Sequence, residues 1–204
     1  MSYRKFTTEK AQQELGLTFV QEILWAEVEA KPVPQWLIEV LGKGAGANRR
    51  GGKARAEFII APVLLAVRDM LGPDYYLYSG EKIDVDSKRG LNGECDFLLA
   101  HTRPSPVLQA PIISLVEAKK QNLETGWGQC VAQMYGARIF NQKQGNEFDT
   151  IFGCVTTGGE WQVLRLDGNT VIFDEIIYYL SDLGKVLGVF RKIADSYHFE
   201  EGTA

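Results

Sequence analysis

Two acids and a lysine stand where buried strands should be apolar. In the segment GECDFLL, Asp96 comes directly before an apolar run, and in ISLVEAKK, Glu117 and Lys119 end one. Side chains alternate faces along a strand, so Glu117 and Lys119 project to one side and Ala118 to the other. If the two strands form a hairpin, its centre falls at Pro106 and Val107, and Asp96 and Glu117 are equidistant from it. A hairpin without a bulge therefore sets the two acids opposite each other, about 5 Å apart. Carboxylates so close repel and raise each other's pKa unless a cation lies between them. Such a pair suits a hard divalent ion, and a lysine beside it can orient an attacking water. In outline this is the chemistry of phosphodiester hydrolysis. The bland alternatives are an Asp96 that binds backbone amides at a strand start and a solvated Glu117–Lys119 pair of little worth.

Other chemistries are poorly supplied. The chain of 204 residues has two histidines, His101 and His198, and three cysteines, Cys95, Cys130 and Cys154, far apart. That leaves little for a structural zinc site or a disulfide framework. Neither histidine has the surroundings of a triad base, and His101 reads as a structural residue near a strand end. There is no GxxxxGK[ST] and no GxGxxG. The formal net charge is −4, so the chain is no overall polycation. No apolar run is long enough for a membrane span, and the first residues lack the apolar centre of a signal peptide, so a cytoplasmic protein is expected.

The elements that must hold these residues follow from periodicity. Thr18–Ala30 has helical spacing, with Phe19, Val20, Ile23, Leu24 and Val28; KPVP interrupts it, and Gln35–Leu41 resumes as a short helix. Gly42–Arg55 follows, with five glycines, five cations (Lys43, Arg49, Arg50, Lys53 and Arg55) and no acid. Against an otherwise acidic chain, this basic loop suggests phosphate contacts. Ala54–Leu71 reads as a long apolar-faced helix, kinked or restarted by Pro62 and closed by Gly72-Pro73. Strands are then expected at 75–85, 94–101, 112–119, 150–156, 160–166 and 170–173, and helices at 123–144 and 178–197. Trp127, Trp161, Tyr178 and Tyr179 read as packing residues. The order is that of an α/β fold: a mixed central β-sheet flanked by helices. The division expected is an N-terminal helical extension with the basic loop over 1–50, then one domain over 51–204.

An acid, twenty intervening residues and an E-A-K tripeptide, each after or before an apolar strand, resemble the PD-(D/E)XK, or restriction-endonuclease-like, nuclease superfamily. Glu57 in ARAEFIIAPVLL fits the glutamate that these proteins carry on a preceding helix. Gln129 and Gln133 in GWGQCVAQMYGAR fit the glutamine on the helix after the ExK strand; they are four apart and share one face. The segment TTGGEWQVLRL is similar to the nuclease segment of type I restriction motor subunits. The resemblance spans about residues 54–175; the departure is Cys95, where proline often precedes the first acid. It implies a restriction-endonuclease-like core and a metal-dependent nuclease, with DNA the expected substrate. Asp96 and Glu117 would ligate Mg²⁺ or Mn²⁺, and Lys119 would position the water or stabilise the transition state. Glu57 would support the metal or orient Lys119, and Gln129 or Gln133 would contact a water or a phosphate. Lys43, Arg49, Arg50, Lys53 and Arg55 would bind nucleic acid, and a homodimer is in keeping with the family. Two alternatives stay open: Glu57 pairs with Lys53 at i−4, and one of the two glutamines is an exposed helix residue. A catalytically inactive module on the same fold, binding nucleic acid or a protein partner, is the rival function.

Overall fold

A computed structural model describes residues 2–44, 52–197 and 199. A 3₁₀ turn at Tyr3–Lys5 leads into α1 (Thr8–Leu15) and β1 (Thr18–Glu22). After an irregular stretch come α2 (Gln35–Gly44), α3 (Gly52–Arg55), a π-helical segment (Ala56–Ile60) and α4 (Ala61–Leu71). The remainder is β2 (Tyr75–Lys82), β3 (Glu94–His101), β4 (Ile112–Ala118), α5 (Glu124–Lys143), β5 (Thr150–Thr156), β6 (Glu160–Asp167), β7 (Thr170–Tyr179) and α6 (Leu183–Asp195). The seven strands form one mixed sheet in the order β1-β7-β6-β5-β4-β3-β2. β4 and β5 are parallel, as are β1 and β7; the other neighbours are antiparallel. One core lies between the sheet and α1 with α5, the other between the sheet and α4 with α6. The chain is thus an α/β protein with a mixed sheet covered on both faces.

The N-terminal fifty residues are not a helical extension. Thr18–Glu22, expected as helix, is a parallel edge strand paired with Thr170–Asp174 of β7. Its Thr-Phe-Val start is β-branched and aromatic, and a free edge of β7 outweighs a helical spacing. Tyr3, Ala11 and Leu15 belong to the same core as α5. The seat is a stripe of small residues, Gly128, Ala132 and Gly136, one turn apart on α5. A Cβ at Gly128 would strike the backbone of Thr7, and one at Gly136 would strike the Tyr3 hydroxyl. That hydroxyl is buried with no hydrogen-bond partner, and burial pushes its pKa far above the usual range. Tyr3→Phe should therefore cost nothing, or stabilise by up to about 1 kcal/mol, since it deletes an unsatisfied group. Gly136→Ala should destabilise by about 1–3 kcal/mol, and less in the Tyr3→Phe background. A double-mutant cycle of thermal unfolding reads both.

Pro62 does not open an isolated helix. The helix runs from Gly52 to Leu71 and widens to π geometry over Ala56–Ile60, where Ala61 N–H donates to the Ala56 carbonyl, five residues back. Pro62 lies in the first turn of α4, has no N–H for the Phe58 carbonyl and clashes with an α-helical one. A wider turn before it removes the conflict. Two boundaries moved: β7 continues through Tyr179, so the last helix begins at Leu183 rather than near 178. Trp161 and Tyr178 are core residues, but Tyr179 is 50% exposed.

Candidate active site

The register of β3 and β4 brings the acids together. Phe97 pairs with Val116 and Leu98 with Leu115, so the next step along the ladder sets Asp96 opposite Glu117. The hairpin does contain a bulge, between Leu99 and Ala100. It lies on the loop side of the site, so the expected facing of the acids survives. Leu98 and Leu115 face α5, and Asp96 and Glu117 share their parity, so the acids sit under that helix.

Asp96 is half-buried, and its Oδ2 accepts from the Ala118 N–H at 2.8 Å. The backbone-amide reading of Asp96 is therefore realised, yet it uses one oxygen. Among the described residues, Oδ1 has no hydrogen-bond partner. Glu117 is 2% exposed and is the centre of the arrangement. Its Oε1 accepts from Lys119 Nζ at 2.8 Å. Its Oε2 accepts from Gln129 Nε2 at 2.8 Å and Gln133 Nε2 at 3.0 Å. Gln129 Oε1 in turn accepts from Lys119 Nζ at 3.0 Å, so Gln129 ties lysine and glutamate together. The pair is not a solvated strand end, and both glutamines are buried rather than one being exposed. Burial, and then the Asp96 charge, push the Glu117 carboxyl up to about 7; Lys119 and Gln133 act in the opposite direction. At neutral pH, Glu117 is poised between charge states, as a group that exchanges protons or receives a cation should be.

Helix α5 is positioned from both ends. At its start, Gln129 and Gln133 reach Glu117 at the end of β4. At its far end, the buried Asn141 accepts from Ile112 N–H and donates to the Ile112 carbonyl, both at 2.8 Å. Asn141 closes the start of β4 as the glutamines close its end. It was missed in the sequence, though a polar residue seven positions after Met134 on a buried helix face was the available signal. Gly126 was missed too: a Cβ there would lie 3.0 Å from both Cγ and Cε of Lys119. Val155 Cγ1 would lie closer still, at 2.5 Å, so Gly126→Ala should push both Val155 and Lys119 aside and destabilise by about 1–3 kcal/mol. A thermal melt of the variant beside the wild type reads the loss.

The other expected site residues stand apart from this cluster. Glu57 is exposed and pairs with Lys53 at 3.8 Å, so its i−4 ion pair is the arrangement found. Arg55 donates to the carbonyl of Lys120, which brings the end of the basic segment beside the residue after Lys119. Lys43 ends α2. Arg49 and Arg50 lie outside the described residues. Trp127 packs on Phe173 and donates to Gln162 Oε1 at 2.9 Å. His101 stacks on Phe199 and meets Tyr75 edge-on.

Among the described residues, no group of three or more His, Cys, Asp or Glu side chains is arranged to hold a metal ion. Mg²⁺ is commonly held by one or two carboxylates with waters completing its shell. The free oxygen of Asp96 suits one position of such a shell, and Glu117 would supply a second by giving up one of its donors, Lys119, Gln129 or Gln133. No described helix is long and apolar enough to cross a membrane. The chain matches no protein-family model and no curated protein sequence.

Proposed function

We propose that this protein is a metal-dependent nuclease of the PD-(D/E)XK type, hydrolysing phosphodiester bonds in DNA on a restriction-endonuclease-like core. The observation that carries the reading is the buried Glu117, held at once by Lys119, Gln129 and Gln133 beside Asp96. Asp96 and Glu117 would hold Mg²⁺ or Mn²⁺, which supplies Lewis-acid stabilisation of charge on the scissile phosphate. Lys119, its side chain 20% exposed, orients the attacking water and steadies the negative charge that develops. Gln129 is a positioning residue that fixes the ammonium against Glu117. Lys43, Lys53 and Arg55, with Arg49 and Arg50, supply cations for the phosphate backbone. A rival reading, an inactive nuclease-fold module that binds nucleic acid or a protein, is favoured by one feature: both oxygens of Glu117 are already engaged by protein donors.

The test is cleavage of supercoiled and single-stranded DNA with Mg²⁺ or Mn²⁺, comparing the wild type with Asp96→Ala and Lys119→Ala. Metal-dependent nicking lost in both variants is the expected result. No cleavage by the wild type, or equal cleavage by all three, would sink the nuclease reading. DNA binding that survives both substitutions without cleavage would favour the module.

A further inference from the structure

At the opposite side of the sheet, β7 is half-paired. β1 covers it only from Thr170 to Asp174, whereas β7 continues to Tyr179 and, after a bulge opposite Val163 that leaves 174–176 unpaired, meets β6 again over Ile177–Tyr179. The ladder ends there because the Asp174 side chain replaces the missing strand: its Oδ1 accepts from Leu24 N–H at 3.3 Å and Ile176 N–H at 3.1 Å. Among the described residues, no backbone hydrogen bond joins residues 175–179 to chain on the β1 side. Past Glu22 the chain swings away, and Trp25–Val28 forms a wall facing the edge across a cleft of about 270 Å³. The wall is fixed from behind. Lys31 N–H donates to the Gly184 carbonyl at 2.9 Å, and a Cβ at Gly188 of α6 would strike the Glu29 carbonyl.

We infer that this slot accepts an extended peptide of a partner protein, which adds as a strand to residues 175–179 of β7 and carries apolar residues and a lysine or arginine. An open edge asks for backbone donors and acceptors, which only an extended chain supplies in register. Trp25, Val28, Ile176 and Ile177 make the cleft apolar, enough for alternate side chains of a strand. The rim carries two acids, Glu27 and Asp182, against Lys185, and the exposed Glu175 precedes the lining residue Ile176 in the chain; this charge selects a basic peptide. The inference is independent of the nuclease reading, because β7 stands three strands away from β4.

The test uses the whole protein and fluorescein-labelled peptides of about nine residues, long enough to span the edge. Their alternate positions are a mixture of Val, Ile, Leu, Phe and Tyr, and their flanks are lysine or, in a control set, glutamate. Saturable anisotropy with the lysine set is expected. N-methylation of alternate backbone nitrogens should weaken it by about tenfold or more, since it removes the donors that pair with the edge. Glu175→Lys and Asp182→Lys should each weaken the lysine set severalfold, and hydrogen exchange should slow at amides of 175–179. Absence of saturable binding, or binding indifferent to N-methylation, would overturn the inference. So would concentration-dependent dimerisation of the free protein that protects the same amides, which would make a second copy the occupant.

Discussion

Lys119→Ala is expected to lower metal-dependent DNA cleavage by about 10²–10⁴-fold while leaving the protein folded. The loss follows from its position: among the described residues, Nζ is the one cation bonded to the buried carboxylate, and such preorganised donors contribute that much to hydrolysis. The retention of the fold is less obvious. Breaking a buried ion pair ordinarily strands a charge and costs about 3–5 kcal/mol. Here the Glu117 carboxyl already titrates at about 7, so without Lys119 it takes up a proton near neutral pH and buries no charge. The two glutamines still donate to Oε2. A cost of about 1–2 kcal/mol is therefore expected, read as a drop in Tm of a few degrees. Full cleavage by the alanine variant would remove Lys119 from the reaction.

The second large effect is on stability against pH. The folded-state pKa of Glu117, about 7, lies above the ordinary glutamate value of 4.5. The native state therefore binds this proton more tightly than the unfolded chain does. Its contribution is fully present below pH 4.5 and is lost as pH rises through 7. The gap corresponds to about 3 kcal/mol, since each pH unit carries about 1.4 kcal/mol. Glu117→Gln cannot titrate. Between pH 4.5 and 8 it should gain about 3 kcal/mol on the wild type, or about 6–12 °C in Tm, while being inactive. The comparison with the variant removes the contributions of other titrating groups, such as Asp174, whose carboxyl burial also pushes up, and His101, which burial pushes down. Mg²⁺ should flatten the wild-type slope and leave that of the variant unchanged. Parallel slopes for the two proteins would show that Glu117 is not the titrating group.

The acids were legible because a hairpin is a local object. Its register follows from counting residues about a loop, and a bulge on the loop side did not reach Asp96. The apolar β4 and the long α5 were legible for the same reason: each has a length and period that admit one reading. What failed was non-local. Nothing within Thr18–Glu22 says that β7 will offer it an edge, so its spacing reads as helix. Nothing near Gly128 says that Thr7 will lie on it. The two glutamines share a helix face in the sequence, but only the packing of α5 on β4 says that this face is the buried one and that both reach the same carboxylate oxygen. Glu57 shows the converse: the resemblance gave it a place at the site, and the local i−4 pairing with Lys53 is what the fold realises.

The pairing of β1 with β7 also orders events in time. Residues 18–22 are made about 150 residues before their partner strand, and Tyr3 and Thr7 more than 120 residues before their seat on α5. Closing such long loops must precede any return from the contacts they make. Residues 18–22 therefore wait, unpaired, until β7 is made, with Phe19 and Val20 exposed. A tag or fusion placed directly before Tyr3 would burden the part of the chain that docks late.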